Sequence, residues 1–264
     1  MPDTLASNLR LHKDFKSRFV KERRNVIVCV PPGYDGTPER SYPVLYLHDG
    51  QNLFDPATAF AGNDWGLAQL ADDLICRGEV EPLIMVGIYN AGKERIAEYT
   101  PVRDWRGRGG RARAYGKLVV DDLKPFIDRE YRTLRDGRNT GLGGSSLGGL
   151  VTLHLGMQYP EVFGKLIVMS PSVWWANRAI LREVRKLRGK LGEKIWLDIG
   201  TCEGDRPEAT LRNTLELKDA LVQKGWKLDQ DLAFMLDEGA GHNEKAWGHR
   251  MRQALKFLFP AVHR

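Results

Sequence analysis

With 264 residues, 42% of them hydrophobic, the chain can bury a full core as one α/β domain or at most two. Its first twenty residues mix charged and apolar side chains and lack the apolar core of a signal peptide, and no apolar run approaches the ~18–20 residues of a membrane helix. Three widely spaced cysteines form no metal-binding pair. The sequence therefore predicts a soluble, cytoplasmic protein with no membrane partner, although a secreted protein already trimmed of its signal peptide would look the same.

A formal net charge of +6 raises the question of a nucleic-acid partner. The densest basic segment, residues 103–113, resembles an arginine- and glycine-rich RNA-binding tract. It is short, however, and it lies inside a regular alternation of strands and helices rather than at a terminus. We therefore interpret it as a mobile, solvated loop, expect no nucleic-acid partner, and leave open whether the loop steers an anionic substrate.

Strand-like and helix-like segments alternate along the chain. The predicted strands span residues 25–30, 43–48, 82–89, 138–142, 165–170, 194–200 and 231–236. The predicted helices span residues 67–77, 115–131 with a kink at Pro125, 147–159, 179–187, 209–224 and 245–259. This alternation predicts a mostly parallel sheet with helices on both faces. In such sheets ligands bind at the carboxyl ends of the strands.

A glycine-rich turn between the strand 138–142 and the helix 147–159 contains Gly144-x-Ser146-x-Gly148. This is the pattern of a nucleophile elbow, in which a sharp strand-to-helix turn holds a serine hydroxyl at its apex. Side chains at positions 144 and 148 would collide with neighbouring backbone, so the glycines have a steric reason to be there. The pattern favours Ser146 as a nucleophile, and a turn of glycine and serine without chemistry is the alternative.

A serine nucleophile needs a histidine base oriented by a carboxylate, and in α/β-hydrolases the acid and then the histidine follow the serine along the chain. Glu203 and Asp205 follow the strand 194–200, and His242 follows the last predicted strand. We predict His242 as the base and prefer Glu203 as the acid because it is nearer the strand end, with Asp205 left open. A metal site of His242 and His249 with an acid lacks any familiar ligand spacing, so we expect no metal and no cofactor.

The tetrahedral intermediate of ester hydrolysis needs two hydrogen-bond donors for its oxyanion. The backbone N–H of Leu147, directly after the predicted nucleophile, is one candidate. The other is the backbone N–H of Gln51, in the loop after the strand 43–48, where Gly50 lets the chain turn toward the site. A plain turn is the alternative for this loop.

Five motifs carry a family resemblance. In chain order they are Leu47-His48-Asp49-Gly50-Gln51-Asn52-Leu53-Phe54-Asp55, Glu98-Tyr99-Thr100-Pro101, Gly143-Gly144-Ser145-Ser146-Leu147-Gly148-Gly149, Ser170-Pro171-Ser172-x-Trp174-Trp175 and Gly241-His242-Asn243-Glu244-x-Ala246-Trp247. Over about residues 25–260 the chain resembles the putative-esterase family of α/β-hydrolases. This family groups enterochelin (siderophore) esterases, esterase D-like S-formylglutathione hydrolases, feruloyl and acetylxylan esterases, and mycolyltransferases.

The resemblance implies an α/β-hydrolase fold in which the residues named above serve as nucleophile, base, acid and oxyanion donors. Members of the family vary in which carboxylate serves, so the choice between Glu203 and Asp205 stays open. The resemblance also implies a minimal member of the family, with a single domain over residues 1–264 and its core at about 25–260.

Substrate binding is assigned to residues of two loops. Trp174 and Trp175 follow the strand 165–170, where we expect them to wall the acyl pocket, and Asp49 is a further predicted substrate-binding residue. Tryptophans in loops are also ordinary packing residues.

We predict a serine carboxylic-ester hydrolase that acts through an acyl-enzyme on a small-molecule ester of aryl, sugar-linked or siderophore type. An acyltransferase with the same triad, and a catalytically silent binding protein with a hydrolase fold, remain alternatives, and the oligomeric state is left open.

Overall fold

An eight-stranded sheet runs through the computed structural model of the protein, which describes residues 8–261. The strands are β1 (Leu9–Phe15), β2 (Arg24–Cys29), β3 (Val44–His48), β4 (Ile84–Ile88), β5 (Thr140–Ser145), β6 (Lys165–Met169), β7 (Lys194–Gly200) and β8 (Leu232–Asp237). Their order in the sheet is β1-β2-β4-β3-β5-β6-β7-β8. β1 pairs antiparallel with β2, as β2 does with β4, and every other pairing is parallel. The predicted mostly parallel sheet is confirmed.

Helices cover both faces of this sheet. They are α1 (Leu67–Cys76), α2 (Arg95–Glu98), α3 (Ala112–Lys117), α4 (Lys124–Glu130), α5 (Leu147–Gln158), α6 (Trp175–Lys186), α7 (Pro207–Gln223) and α8 (Glu244–Leu258). The core of one face contains side chains of α3, α5, α6 and α7, and the core of the other contains side chains of α1 and α8. Among the described residues, no helix is both long enough and apolar enough to cross a membrane.

Alternation along the strands divides the apolar side chains between the two faces. In β3, Val44 and Tyr46 belong to the first core, whereas Leu45 and Leu47 belong to the second. All five residues of β3 are buried, because both faces of a parallel sheet are covered by helices. The strand was predicted from its run of apolar residues, and the run is continuous because both faces of the strand are buried.

β1 was not predicted from the sequence. Its residues, LRLHKDF, include four charged or imidazole side chains, and most of the strand is only partly buried at the edge of the sheet. Leu9 lies opposite Cys29 and Leu11 opposite Ile27, so the apolar side chains alternate with polar ones as they do in an edge strand. The sheet therefore begins upstream of the core predicted to start at about residue 25.

One predicted helix differs in detail from the structure, and another begins where it was predicted. The single kinked helix 115–131 is α3 and α4 joined by a π-helical segment, Leu118–Leu123, in which the backbone N–H of Lys124 bonds the carbonyl of Val119. Pro125 is the second residue of α4, directly after the π-helical segment, so the hydrogen bond that it cannot donate is missing next to this irregular turn. α6 is a right-handed helix from residue 179, the predicted start, and Ala176 to Arg178 before it are three consecutive left-handed residues.

Candidate active site

Ser146 lies at a sharp turn between the end of β5 and the start of α5. Its backbone angles are φ 59° and ψ −121°, which a serine adopts at a cost of about 1–3 kcal/mol. Two backbone hydrogen bonds hold the turn: the Ser146 N–H donates to Met169 (3.0 Å), and the Ser172 N–H donates to the Ser146 carbonyl (3.0 Å). A Cβ on Gly144 would lie 3.1 Å from the side chain of His48 and 3.2 Å from the backbone of Gly148, so a side chain at position 144 would crowd the turn. This is the geometry of a nucleophile elbow.

His242 and Glu203 lie side by side past the ends of β8 and β7. The Nδ1 atom of His242 is 2.8 Å from Oε2 of Glu203. Glu203 is fully buried, and its Oε1 accepts hydrogen bonds from Ser170 Oγ (2.6 Å) and from the Gly200 N–H (2.8 Å). Burial alone would raise the pKa of Glu203, but its hydrogen bonds outweigh burial and lower that pKa. An ionised Glu203 requires the proton of a neutral His242 to sit on Nδ1, which leaves Nε2 free to accept one.

Asp205, the alternative acid, is exposed. It lies two residues past Glu203, beyond the turn at Gly204, whose φ is 74°. The structure therefore brings Glu203, and not Asp205, into contact with His242.

Ser146 and His242 line one cleft of about 380 Å³. Its other lining residues are Asp49, Gln51, Asn52, Phe60, Asn90, Arg95, Ser145, Glu244 and Trp247. Within the cleft the hydroxyl of Ser146 lies 3.4 Å from the hydroxyl of Ser172. All of the lining residues except Phe60 and Trp247 are polar or charged types.

Of the two predicted oxyanion donors, Leu147 follows Ser146 directly in the chain and Gln51 lines the same cleft as Ser146. Leu147 is the first residue of α5, so its N–H has no acceptor within the helix. Gln51 lines the cleft in the short turn Gly50–Asn52, and its carbonyl accepts from Thr58 Oγ1 (2.7 Å). A Cβ on Gly50 would lie 2.4 Å from the carbonyl carbon of Gly87, so the turn packs against β4 only because residue 50 is glycine. The role of both amides as oxyanion donors stays a prediction.

Asp49 borders the cleft, but its carboxylate is occupied. Both of its oxygens accept from Arg95, each at 2.7 Å, and Oδ1 also accepts from Asn90 Nδ2 (2.7 Å). Burial would raise the pKa of Asp49, yet the paired guanidinium and the amide lower it. Asp49 is therefore placed to hold Arg95 against the cleft rather than to bind a substrate with its own oxygens.

The two tryptophans predicted to wall the acyl pocket do not border the cleft. Trp175 is 3% exposed, and its indole N–H donates to the carbonyl of Val102 (2.8 Å), so it is a packing residue. Trp174 is 54% exposed and packs against Trp175. The left-handed turn that follows them, which no sequence pattern indicated, connects them to the right-handed part of α6. The expectation that Trp175 binds substrate does not fit its burial.

The basic segment 103–113 is mostly exposed, as predicted for a solvated loop, and hydrogen bonds to Asp104 hold part of it. Asp104 accepts from the backbone N–H groups of Arg106 and Arg108, and from the guanidinium of Arg108 (2.8 Å). Arg111 pairs with Glu94. Asp104 within the segment and Glu94 outside it thereby neutralise part of the local positive charge.

Sequence reasoning missed several polar residues at the site, above all Arg250 and Arg95. Arg250 lies on the buried face of α8 and donates to Asp198 Oδ1 (2.6 Å) and to Glu203 Oε1 (3.2 Å). The available signal was an arginine in phase with the apolar residues Trp247 and Met251. No comparable signal linked Arg95 to Asp49, because the two are far apart in the chain and both lie in loops or short helices.

Comparison with known proteins identifies the class of enzyme. The family model described as Putative esterase matches residues 17–258, which is nearly the whole chain. The chain belongs to this family, and the predicted resemblance is confirmed. It is therefore an esterase, a hydrolase of carboxylic esters, with an α/β-hydrolase fold.

Three curated relatives illustrate its neighbours. Uncharacterized protein YbbA of Bacillus subtilis is 26% identical, with 97% of each chain covered. The endo-1,4-beta-xylanase/feruloyl esterase of Xylanibacter ruminicola is 25% identical over 93% of this chain, but only 30% of that protein is matched. Ferri-bacillibactin esterase BesA of Bacillus subtilis is 28% identical over 61% of this chain and 58% of its own length.

The fold is shared with solved structures. The crystal structure of the BES protein from Bacillus cereus superimposes with a TM-score of 0.74 at 23% identity, covering 97% of this chain and 96% of that one. At this identity the likeness shows the fold alone.

Proposed function

We propose that the chain is a serine esterase that works through an acyl-enzyme, with Ser146 as nucleophile, His242 as base and Glu203 as the acid. The observation that carries the proposal is the 2.8 Å contact between His242 Nδ1 and the buried Glu203, in the cleft whose floor is the strained Ser146. A neutral imidazole oriented in this way offers Nε2 to the serine hydroxyl.

The first half-reaction forms the acyl-enzyme. As Ser146 Oγ bonds to the ester carbonyl carbon, Nε2 of His242 takes the hydroxyl proton, and the carbonyl oxygen becomes an oxyanion. The imidazolium is stabilised by Glu203, which stays ionised because its hydrogen bonds lower its pKa. The intermediate then collapses: the ester C–O bond breaks, and His242 returns the proton to the leaving alcohol.

The second half-reaction uses the same groups on water. His242 takes a proton from a water molecule whose oxygen bonds to the acyl carbon, and a second oxyanion forms. Its collapse breaks the bond to Ser146 Oγ, which regains its proton from His242 as the carboxylic acid leaves. In both halves the backbone N–H groups of Gln51 and Leu147 are the proposed oxyanion donors, and losing one such donor typically costs about 10²–10³ in kcat.

The proposed substrate is a small-molecule ester of aryl, sugar-linked or siderophore type. A cleft of about 380 Å³ accommodates a small acyl or alcohol group, and the exposed ring of Phe60 at its wall suits an aromatic one. The names of the relatives, a feruloyl esterase and a ferri-bacillibactin esterase, support esters of this kind.

The test is hydrolysis of a series of p-nitrophenyl esters of increasing chain length by the wild type and by Ser146→Ala. We expect the variant to lose at least about 10⁴-fold in kcat, since the nucleophile is removed. The matched control is Ser17→Ala, which removes a hydroxyl bonded to Asp122 away from the cleft and should keep wild-type rates. Wild-type turnover by a folded Ser146→Ala would refute the proposed mechanism.

A further inference from the structure

The two carboxylate oxygens of Glu203 have different hydrogen-bond partners. Oε2 faces Nδ1 of His242, whereas Oε1 accepts from the Gly200 N–H and from the side chains of Ser170 and Arg250. A carboxylate with a single partner could rotate about its last bond. The donors on Oε1 fix that rotation, so they determine where Oε2 lies.

The hydroxyl of Ser170 can give its proton to only one partner. Trp247 Nε1 (3.0 Å) and Arg250 Nη2 (3.2 Å) are both donors to Ser170 Oγ, and neither can accept a hydrogen bond. The Ser170 proton is therefore directed to Glu203 Oε1, at 2.6 Å. Ser170 is also held in place by its backbone, whose φ is 41° and whose N–H donates to Asp198 (3.0 Å).

Trp247 contacts His242 directly and is linked to Glu203 through Ser170. Its indole N–H fixes Ser170, and its ring packs edge-to-face against His242, with ring centroids 4.8 Å apart and planes at 86°. The ring is 6% exposed and borders the cleft. Rotation of His242 away from Glu203 would therefore lose this contact as well as the hydrogen bond.

Arg250 is the buried cation of the cluster. Its guanidinium faces Asp198 at 2.6 Å, Glu203 at 3.2 Å and Asp237 at 3.5 Å, and the arginine is completely buried. The shortest of these contacts is to Asp198, so Asp198 fixes the guanidinium and the guanidinium in turn reaches Glu203 with one N–H. A buried carboxylate without such a cation would be strongly destabilised.

We propose that Ser170, Trp247 and Arg250 form an acid clamp, three positioning residues that hold Glu203 and His242 in the geometry required for proton transfer. The inference rests on the proposed function, because it concerns the same acid and base. These three residues raise kcat by holding Glu203 in position, and this effect is separate from any contribution they make to the stability of the fold.

The test measures kcat, KM and the pH profile of p-nitrophenyl acetate hydrolysis for Ser170→Ala, Trp247→Phe and Arg250→Lys. We expect kcat to fall about 10- to 100-fold, the range that a small misplacement of catalytic groups can cost, with KM within about twofold of wild type. The matched controls are Trp226→Phe, which removes a buried indole N–H bonded to Glu193, and Arg252→Lys, on the same helix but paired with Asp73. Both controls should keep wild-type kcat.

The pH profile of Ser170→Ala separates positioning from folding. Without the Ser170 proton, more of the negative charge of Glu203 acts on the protonated His242, so the acid limb of kcat/KM should move to higher pH. The other charged groups near this pair do not change in the variant. They are Arg250, Asp198 and Asp237 around Glu203, and Glu244, Asp49 and Arg95, which line the same cleft as His242.

A double variant gives the sharpest result. If Ser170 acts through Glu203, adding Ser170→Ala to Glu203→Ala should lower kcat no further. A further drop as large as that of the single variant would overturn the clamp, as would wild-type kcat and an unmoved acid limb in Ser170→Ala and Trp247→Phe. Ser170→Ala and Trp247→Phe are sufficient to test the acid clamp if Arg250→Lys does not fold.

Ser146→Ala, measured alongside, distinguishes the two proposals. If it is inactive while the clamp variants behave as wild type, the clamp alone is refuted. If it turns over normally, the proposed function fails and the clamp fails with it.

Discussion

Two arginine–carboxylate pairs flank the cleft, and they are built differently. On one side Arg250 meets Glu203 through a single 3.2 Å contact to Oε1, both side chains are fully buried, and Oε2 is left for His242. On the other side Arg95 binds both oxygens of Asp49 at 2.7 Å, and the guanidinium side chain is 27% exposed toward the cleft.

The difference decides what each carboxylate can do. Both oxygens of Asp49 bind the same guanidinium, so its pair with Arg95 is a charge-neutral part of the wall. Glu203 keeps one oxygen for a histidine while a buried cation and two neutral donors stabilise its charge. The same two residue types thus supply a wall on one side of the cleft and an acid for proton transfer on the other.

The largest expected effect comes from removing the acid. Glu203→Ala should lower kcat on p-nitrophenyl esters by about 10³- to 10⁴-fold, because the histidine loses the group that fixes its tautomer and stabilises its charge. Asp205→Ala, two residues away and exposed, should retain wild-type kcat. Wild-type kcat in Glu203→Ala together with a large loss in Asp205→Ala would identify Asp205 as the acid instead of Glu203.

Breaking the other pair should affect stability. Arg95→Gln leaves the buried Asp49 carboxylate without its cation, and we expect a loss of about 3 kcal/mol in the free energy of unfolding measured with urea. The double variant Asp49→Asn/Arg95→Gln should recover part of this loss, because no uncompensated charge remains.

The control for that experiment is Arg129→Gln, which removes an exposed pair with Glu130 and should change stability by less than about 1 kcal/mol. An equal loss in Arg95→Gln and Arg129→Gln would mean that the Asp49 pair contributes no more than a surface contact.

The open side of the cleft is tested by comparing two exposed aromatic residues. Phe60 borders the cleft and is 74% exposed, whereas Trp174 is 54% exposed but does not border the cleft. Phe60→Ala should raise KM for an ester with an aryl acyl group about fivefold, since one aromatic contact is lost. Trp174→Ala should leave that KM unchanged, and a larger effect in Trp174→Ala would restore the tryptophan as a substrate contact.

The smallest expected effect concerns stability against pH. Hydrogen bonding lowers the pKa of Glu203 in the folded protein, so Glu203 stabilises the fold above its ordinary pKa of 4.5, and that contribution is lost as the pH falls through the folded value. The stability advantage of the wild type over Glu203→Gln should therefore shrink as urea unfolding is measured from pH 6 down to pH 3. Burial raises the pKa of Asp198 to about 6, which acts in the opposite direction, but Asp198 is present in both proteins. An advantage that stays constant with pH would contradict the account.

The sequence was most informative where chemistry requires a local pattern. The elbow at Ser146 needs glycine neighbours, and Glu203 and His242 follow strands whose apolar runs are easy to recognise, so their approach could be anticipated. The sequence was least informative where contacts join distant loops. The pairing of Asp49 with Arg95 and the burial of Trp175 under a left-handed turn depend on packing that no short pattern encodes.

The most direct test of the central claim is the intact mass of the protein after reaction with a p-nitrophenyl phosphonate. The account predicts one phosphonyl group per chain, mapped to Ser146 by peptide analysis, in the wild type and in Ser17→Ala, and none in Ser146→Ala. An adduct that persists in Ser146→Ala, or an active wild type that forms none, would contradict it.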